Sequence, residues 1–197
     1  MSDVPVFFGA RGWTFERPGA YSIDATYRDP QQRFEVDAEA LRITVSEGGG
    51  VGRQLLADSE SAGEAGRFLV WQGGDHLRKG IATLKDLVAD HPLSPLAAHS
   101  RVALGISFSR DFIDYTLGRV RRSECWSTRY FLEGAPLDRL PETIRLRKNL
   151  AEAGCRLRSG DHEAARRMVR EAARTAQRRT DLRVLFDGLV ELYSLPR

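Results

Sequence analysis

LAEAGCRLRSGDHEAARRMVREAA, residues 150–173, has the pattern of two helices separated by a Gly-Asp break. Ala165, Val169 and Ala172 recur at i, i+4 and i+7, so they share one face of the second helix, where small side chains let a neighbouring helix approach closely. Gly160 suits a sharp reversal of the chain, and Asp161 is a suitable N-cap for the second helix. The stretch therefore predicts an antiparallel helical hairpin.

The remainder of the C-terminal part also has helical character. N-cap residues, glycines and prolines divide residues 55–197 into successive predicted helices. Asp75 is the predicted N-cap of the second helix, and Gly118 interrupts the third. The predicted helices cover about 62–71, 75–90, 94–117, 123–132, 141–159, 161–178 and 181–193.

The first 46 residues have strand character instead. Apolar and polar residues alternate in GAYSIDATY, residues 19–27, and in ALRITV, residues 40–45, which predicts two half-buried strands. Asp29-Pro30 supplies a turn between them, and residues 33–36 form either another short strand or the return of a loop.

A glycine-rich segment separates the two parts. We interpret EGGGVGRQ, residues 47–54, as a linker rather than a phosphate-binding loop, because no Lys-Ser/Thr pair follows and GxGxxG is not matched. The predicted fold class is therefore α+β, with an antiparallel β unit at 1–46, a linker at 47–54 and a helical domain at 55–197.

The β unit resembles part of a known domain type. RPGAYSIDATY, followed by ALRITV, resembles the closing strand pair of an immunoglobulin-like or fibronectin-like sandwich, in which a Pro-Gly turn leads into a strand with an inward tyrosine. A full sandwich needs about seven strands and roughly 100 residues, whereas this unit offers four or five strands. Either it belongs to a longer protein, or the helices, a second copy of the chain or another chain complete it.

The helical part resembles tetratricopeptide repeats in GDHEAARRMVREA and in IATLKDLVADHPLSPLAAHSRVALG. Small residues match the repeat at several positions, but Gly80 and Leu87 stand where alanines are usual and Arg156 where an aromatic residue is usual. The resemblance implies a curved stack of hairpins whose first helices line a groove for an extended peptide or a partner's helix. The predicted groove residues are Arg101, Phe108, Phe112, Tyr115, Arg145, Lys148, Asn149 and Arg156.

Charge is distributed unevenly along the chain. Residues 1–118 carry 12 Lys/Arg against 16 Asp/Glu, a net charge of −4, whereas residues 119–183 carry 17 against 9, a net charge of +8. Five arginines form a basic stripe on one predicted helix, which makes nucleic acid or an acidic partner the alternative to a peptide groove. The stripe consists of Arg166, Arg167, Arg170, Arg174 and Arg178.

Motifs for chemistry are weak in this sequence. The four histidines lack zinc-ligand spacing, and no G-x-S-x-G elbow is present, so we predict no metal, no cofactor and no enzymatic activity. Cys125 and Cys155 are 30 residues apart; we expect two free thiols, with a disulfide as the alternative. The function expected from these features is therefore a protein-binding or peptide-binding module, or an assembly module.

The location of the protein is predicted from the lack of two sequence patterns, a membrane-spanning stretch and a signal peptide. The sequence has no uninterrupted apolar stretch of the roughly 18 residues that a membrane helix needs. Its first residues lack a basic region followed by an apolar run. We expect a cytoplasmic protein without a membrane partner.

Overall fold

The computed structural model describes residues 8–9, 12–13, 15, 17–45, 59–71, 73–114, 117–136, 138, 140–177 and 179–196. Within these residues the fold is α+β, as predicted, with small two-stranded antiparallel sheets and a stack of seven helices. The predicted linker at 47–54, Tyr115 and Arg178 lie outside the described residues. None of the described helices has the length and apolar character needed to span a bilayer.

The helices follow the predicted order closely. Their bounds are α1 Ser59–Trp71, α2 Arg78–Asp90, α3 Pro95–Phe108, α4 Cys125–Glu133, α5 Glu142–Arg158, α6 His162–Ala176 and α7 Thr180–Leu192.

The hairpin predicted from residues 150–173 is confirmed as α5 and α6. Gly160 has a φ of +82°, and the side chain of Asp161 accepts a hydrogen bond from the backbone N–H of Ala164 at 3.1 Å. Ala165, Val169 and Ala172 are all buried. Small side chains on one face therefore let α6 pack closely on its neighbours, as the spacing predicts.

The helices pack in a regular order. Each of the pairs α1–α2, α3–α4 and α5–α6 packs as a hairpin, and the second helix of each pair also contacts the first helix of the next unit. The odd-numbered helices contact one another in turn, α1 with α3, α3 with α5, and α5 with α7. The stack therefore has one layer of odd-numbered helices and an outer set of even-numbered ones.

The central helix α3 joins two hydrophobic cores. Ala97, Ala103 and Leu104 belong to a core shared with α1, α2 and α4, and Val102 and Ile106 belong to one shared with α4 to α7. Because alanine and glycine are frequent along α3, helices can pack on several of its sides.

The described N-terminal strands pair as short two-stranded ribbons. Strands β1 (Phe8–Gly9) and β2 (Gly12–Trp13) pair with each other and contact α1. Strand β3 (Gly19–Ile23) pairs with β6 (Leu41–Val45), and β4 (Thr26–Arg28) pairs with β5 (Glu35–Asp37), all antiparallel. Together β3 to β6 form one nested hairpin.

The prediction of one continuous strand over GAYSIDATY is wrong because of a bulge. Ile23 pairs with Leu41, whereas Thr26 pairs with Asp37, so two residues on one side of the ribbon face three on the other. Such an extra residue interrupts the ladder and bends the strand. Beyond the bulge, Tyr27 and Val36 pair with more than half of each surface exposed.

The helix predicted over 94–117 begins where expected, but its predicted end is wrong, because α3 ends at Phe108. A second hairpin follows, in which β7 (Phe112–Asp114) pairs with β8 (Arg119–Arg121). Gly118 has a φ of +60° near its turn. In chain order this hairpin connects α3 to α4.

The prediction that Asp75 is the N-cap of α2 is wrong. Leu77 occupies the N-cap position and makes no side-chain cap bond. The carboxylate of Glu64 on α1 accepts instead from the N–H of Gly80 at 2.9 Å, and Asp75 binds Arg121. A neighbouring helix thus supplies the capping group for α2.

Candidate functional site

An open cleft of about 630 Å³ lies where several helices end together. It is lined by the α1–α2 turn, by the segment after α3, and by residues at the C-terminal ends of α5 and α7. The C-terminal ends of α3, α5 and α7 therefore meet at the cleft. The cleft residues are Gly73, Gly74, His76, Ser107, Ser109, Arg110, Asp111, Phe112, Ser123, Arg158, Leu192 and Tyr193.

Two arginines satisfy the carbonyl groups at the end of α3. Arg121 donates to the carbonyl oxygens of Ser107 at 3.0 Å and Arg110 at 3.3 Å, and it forms a two-point ion pair with Asp75. Arg158 donates from Nη2 to the carbonyl oxygen of Ser109 at 2.7 Å. The last carbonyls of a helix lack partners within it and carry partial negative charge, so cationic donors stabilise this end.

Arg158 reaches the cleft from the last residue of α5. Burial lowers the pKa of its guanidinium, which the charges of Tyr193 and Asp111 oppose, and the group stays protonated. Its Nε and Nη1 make no hydrogen bond within the described residues. Arg158 therefore has donors that a ligand in the cleft can use.

Ser109 and Tyr193 fasten the end of α3 to the end of α7. The buried hydroxyl of Ser109 donates to the carbonyl oxygen of Ile106 at 2.7 Å. Since that bond uses its only proton, Ser109 accepts from the Tyr193 hydroxyl at 3.1 Å. Both hydrogen bonds of this serine join parts of the fold, so Ser109 holds the end of α3 against α7.

Asp111 closes the base of the β7–β8 hairpin. Its carboxylate accepts from the N–H of Ser123 at 2.9 Å and from Arg122 at 2.7 Å. These hydrogen bonds, with the charges of Arg122 and Arg158, hold the pKa of Asp111 below its usual value. Asp111 is therefore ionised and engaged, and it is a poor candidate for a general acid.

An aromatic pair forms another part of the cleft wall. The rings of Phe112 and His76 are stacked, with centroids 6.1 Å apart. Phe108 is packed into the core beside Phe131, and Arg121 lies 5.1 Å from its centroid. The cleft thus combines a flat aromatic surface with a cationic donor.

The two cysteines form a disulfide, which corrects the expectation of free thiols. Cys125, the first residue of α4, is bonded to Cys155 near the end of α5, with Cα atoms 5.2 Å apart. The sequence does not reveal this contact, because it depends on how α4 packs against α5. The bond fastens these two helices close to Arg158.

The structure brings only some of the predicted groove residues together. Phe112 lines the cleft, and Phe108 lies in the core just behind it. Arg101 is partly buried against Gly134, and its Nε is a buried donor without a partner among the described atoms. Arg101 is therefore placed against α4 rather than in the cleft.

The predicted residues of α5 lie on another face. Lys148 is buried in an ion pair with Glu152 at 3.0 Å, and Arg156 pairs with Asp161. Residues two apart differ by about 200° around a helix, so Arg156 points away from Arg158. Arg145 and Asn149 share the face of Arg156, and these residues do not join Phe112 in one groove.

The basic stripe lies on the exposed face of α6. Arg166, Arg167, Arg170 and Arg174 are all exposed, and Arg167 pairs with Glu163 at 2.7 Å. The other three make no ion pair within the described residues, and they recur every four positions. They form a short cationic row, interrupted on the helix by Glu171.

Several cleft residues were not predicted from the sequence. Arg158, Ser109 and Tyr193 meet only because three helix ends converge, and each stands in a sequence context that is ordinary for a helix terminus. The described residues contain no group of three potential metal ligands. The cleft offers hydrogen-bond donors and an aromatic contact.

Comparison with known proteins adds no relative. No protein-family model matches the chain, and neither a curated protein nor a solved structure matches it.

Proposed function

We propose that this chain is a non-catalytic module that binds an extended peptide of a protein partner. The observation that carries the proposal is the cleft, in which Arg158 with unused donors lies near the stacked Phe112 and His76. Arginine and aromatic side chains supply much of the energy at protein interfaces.

The packing order of the helices supports this proposal. Successive contacts between odd-numbered helices, with even-numbered helices outside, are the arrangement expected of stacked helical hairpins. Such stacks commonly provide surfaces for extended peptides, and in this chain the proposed surface lies at the C-terminal ends of the odd-numbered helices. The sequence resemblance to tetratricopeptide repeats points the same way.

The chemistry of the cleft suggests which peptides it prefers. The unused Nε and Nη1 groups of Arg158 can each donate a hydrogen bond to a carboxylate oxygen, and the aromatic pair favours a flat or apolar side chain. We therefore expect a peptide with an acidic residue close to an aromatic or aliphatic one.

Selection from a random peptide library displayed on phage tests the proposal. The folded chain is the target, and the Phe112→Ala/Arg158→Ala variant is used for counter-selection. We expect enriched peptides to share an acidic residue and an apolar neighbour. Failure to enrich any sequence, or enrichment of peptides that bind both proteins equally, would contradict the proposal.

A second candidate function is binding of nucleic acid or an acidic partner through α6. The observation that favours it is the row of exposed Arg166, Arg170 and Arg174, which make no ion pair within the described residues. Each phosphate contact makes affinity for duplex DNA fall with salt, and three contacts give a log–log slope of about −3.

A mobility-shift titration at several salt concentrations tests this alternative. The Arg166→Gln/Arg170→Gln/Arg174→Gln variant is expected to lose duplex binding. A matched variant with Arg17, Arg28 and Arg42 changed to Gln removes equal charge from the β ribbons. Equal affinity losses in the two variants would argue against a specific role for α6.

The location of the protein within the cell also remains a proposal. The sequence predicts a cytoplasmic location, whereas the disulfide favours an oxidising compartment, since reducing thiols keep most cytosolic cysteines reduced. Trapping cellular thiols with an alkylating agent and counting free cysteines in the protein distinguishes the two compartments.

We also propose that a second copy of the chain or another chain completes the β unit. Light scattering checks this proposal and should report a mass above that of one chain.

A further inference from the structure

The two sulfur atoms of the Cys125–Cys155 disulfide have different surroundings. Cys125 is partly exposed at the start of α4, whereas Cys155 is only 1% exposed. A thiolate must approach a sulfur directly in order to attack it. Access therefore favours attack on Cys125.

The charges around the disulfide also favour attack on Cys125, with Cys155 as the leaving group. Nη2 of Arg158 lies 3.2 Å from Sγ of Cys155 and stabilises negative charge there. Sγ of Cys125 lies 3.8 Å from the carbonyl oxygen of Cys155, whose partial negative charge opposes a thiolate. Cys155 is thus the better leaving group of the two.

We propose that this disulfide is a site of thiol–disulfide exchange, in which a small-molecule thiol becomes attached to Cys125. The incoming thiolate forms a new S–S bond with Sγ of Cys125 as the Cys125–Cys155 bond breaks, and the electron pair leaves on Sγ of Cys155. One disulfide is exchanged for another, and no further oxidant or reductant is needed. This inference is independent of the proposed function.

Exchange also changes the cleft. The same Nη2 atom of Arg158 donates to the carbonyl oxygen of Ser109 at 2.7 Å and lies near Cys155. A thiolate is a stronger acceptor than a disulfide sulfur, so it binds this guanidinium more tightly and draws it towards Cys155. Modification of Cys125 therefore alters a residue that lines the cleft.

Peptide mapping locates the reacting sulfur. The folded chain is incubated with reduced glutathione, quenched with excess N-ethylmaleimide and digested with trypsin. The two cysteines fall in separate peptides, residues 123–129 and 149–156. We expect glutathione on the first and N-ethylmaleimide on the second. Glutathione on 149–156, equal labelling of both, or reaction only after denaturation would overturn the proposal.

Variants of Arg158 test the role of its charge. Arg158→Gln should slow the exchange about tenfold, because Cys155 becomes a poorer leaving group, whereas Arg158→Lys should stay within about threefold of wild type. Arg183→Gln, at an exposed position on α7, should react at the wild-type rate. Equal rates for Arg158→Gln and wild type would refute the charge argument. Should Arg158→Gln fail to fold, the site of labelling in wild type still decides the proposal.

Discussion

Gly80 is the residue at which α1 and α2 approach each other most closely among the described glycines. A Cβ atom at this position would lie less than 3 Å from backbone atoms of Glu64 and Ala65, which cannot move aside as a flexible side chain can. The sequence shows Gly80 only as a departure from an alanine that the repeat pattern favours. The close helix contact explains why glycine stands there.

Gly80→Ala should therefore destabilise the fold by about 1–3 kcal/mol, since α1 and α2 must separate. Gly63→Ala is the matched control, because nothing lies within 4 Å of the added Cβ atom. That control should be neutral or stabilise by up to about 1 kcal/mol. Urea unfolding followed by circular dichroism measures both, and equal effects would contradict the account.

His99 gives a prediction about pH. Burial lowers the pKa of His99 below its ordinary value of 6.5. As pH falls, the unfolded chain therefore takes up a proton on His99 at a higher pH than the folded chain does. The stabilising effect of the neutral ring is complete above pH 6.5, and it is lost as pH falls towards the pKa of the folded chain.

The free energy of unfolding should consequently decrease between pH 6.5 and pH 5, and His99→Gln should reduce that slope. His162→Gln, at an exposed position at the start of α6, should retain it. Urea titrations at intervals of half a pH unit provide the comparison. An unchanged slope in His99→Gln would show that another group is responsible.

At the scale of elements, local spacing determines the α5–α6 hairpin. Gly160, Asp161 and the buried Ala165, Val169 and Ala172 all act within a few residues of one another, so the sequence alone suffices to predict them. Ala172→Leu should cost about 1–3 kcal/mol by overpacking this interface. Arg170→Leu, which adds a leucine on the exposed face, should change stability by less than about 0.5 kcal/mol. Thermal unfolding of both variants checks the difference.

The end of α3 could not be predicted in the same way. The sequence predicts a helix to about residue 117, because no glycine or proline follows Phe108 before Gly118. In the structure α3 stops because its last carbonyls bind Arg121 and Arg158, which are 13 or more residues further along the chain. Long-range contacts of this kind also explain why the disulfide and the cleft were missed.

At the scale of the whole molecule, the fold places the predicted groove residues on two separate surfaces. Phe112 lies at the cleft, where the helix ends converge, whereas Arg145, Asn149 and Arg156 lie on a face of α5 that points away from Arg158. A peptide bound at the cleft does not need the second set. The central claim is that the cleft is the peptide-binding surface.

Titration calorimetry with a peptide selected on the wild-type chain tests this claim most directly. The Phe112→Ala/Arg158→Ala variant should bind it at least tenfold more weakly, a loss of about 1.4 kcal/mol or more, while the Arg145→Ala/Asn149→Ala/Arg156→Ala variant should bind it as wild type does. Undiminished binding by the first variant together with a loss in the second would contradict the account, because the face of α5 that carries Arg145, Asn149 and Arg156 would then hold the peptide.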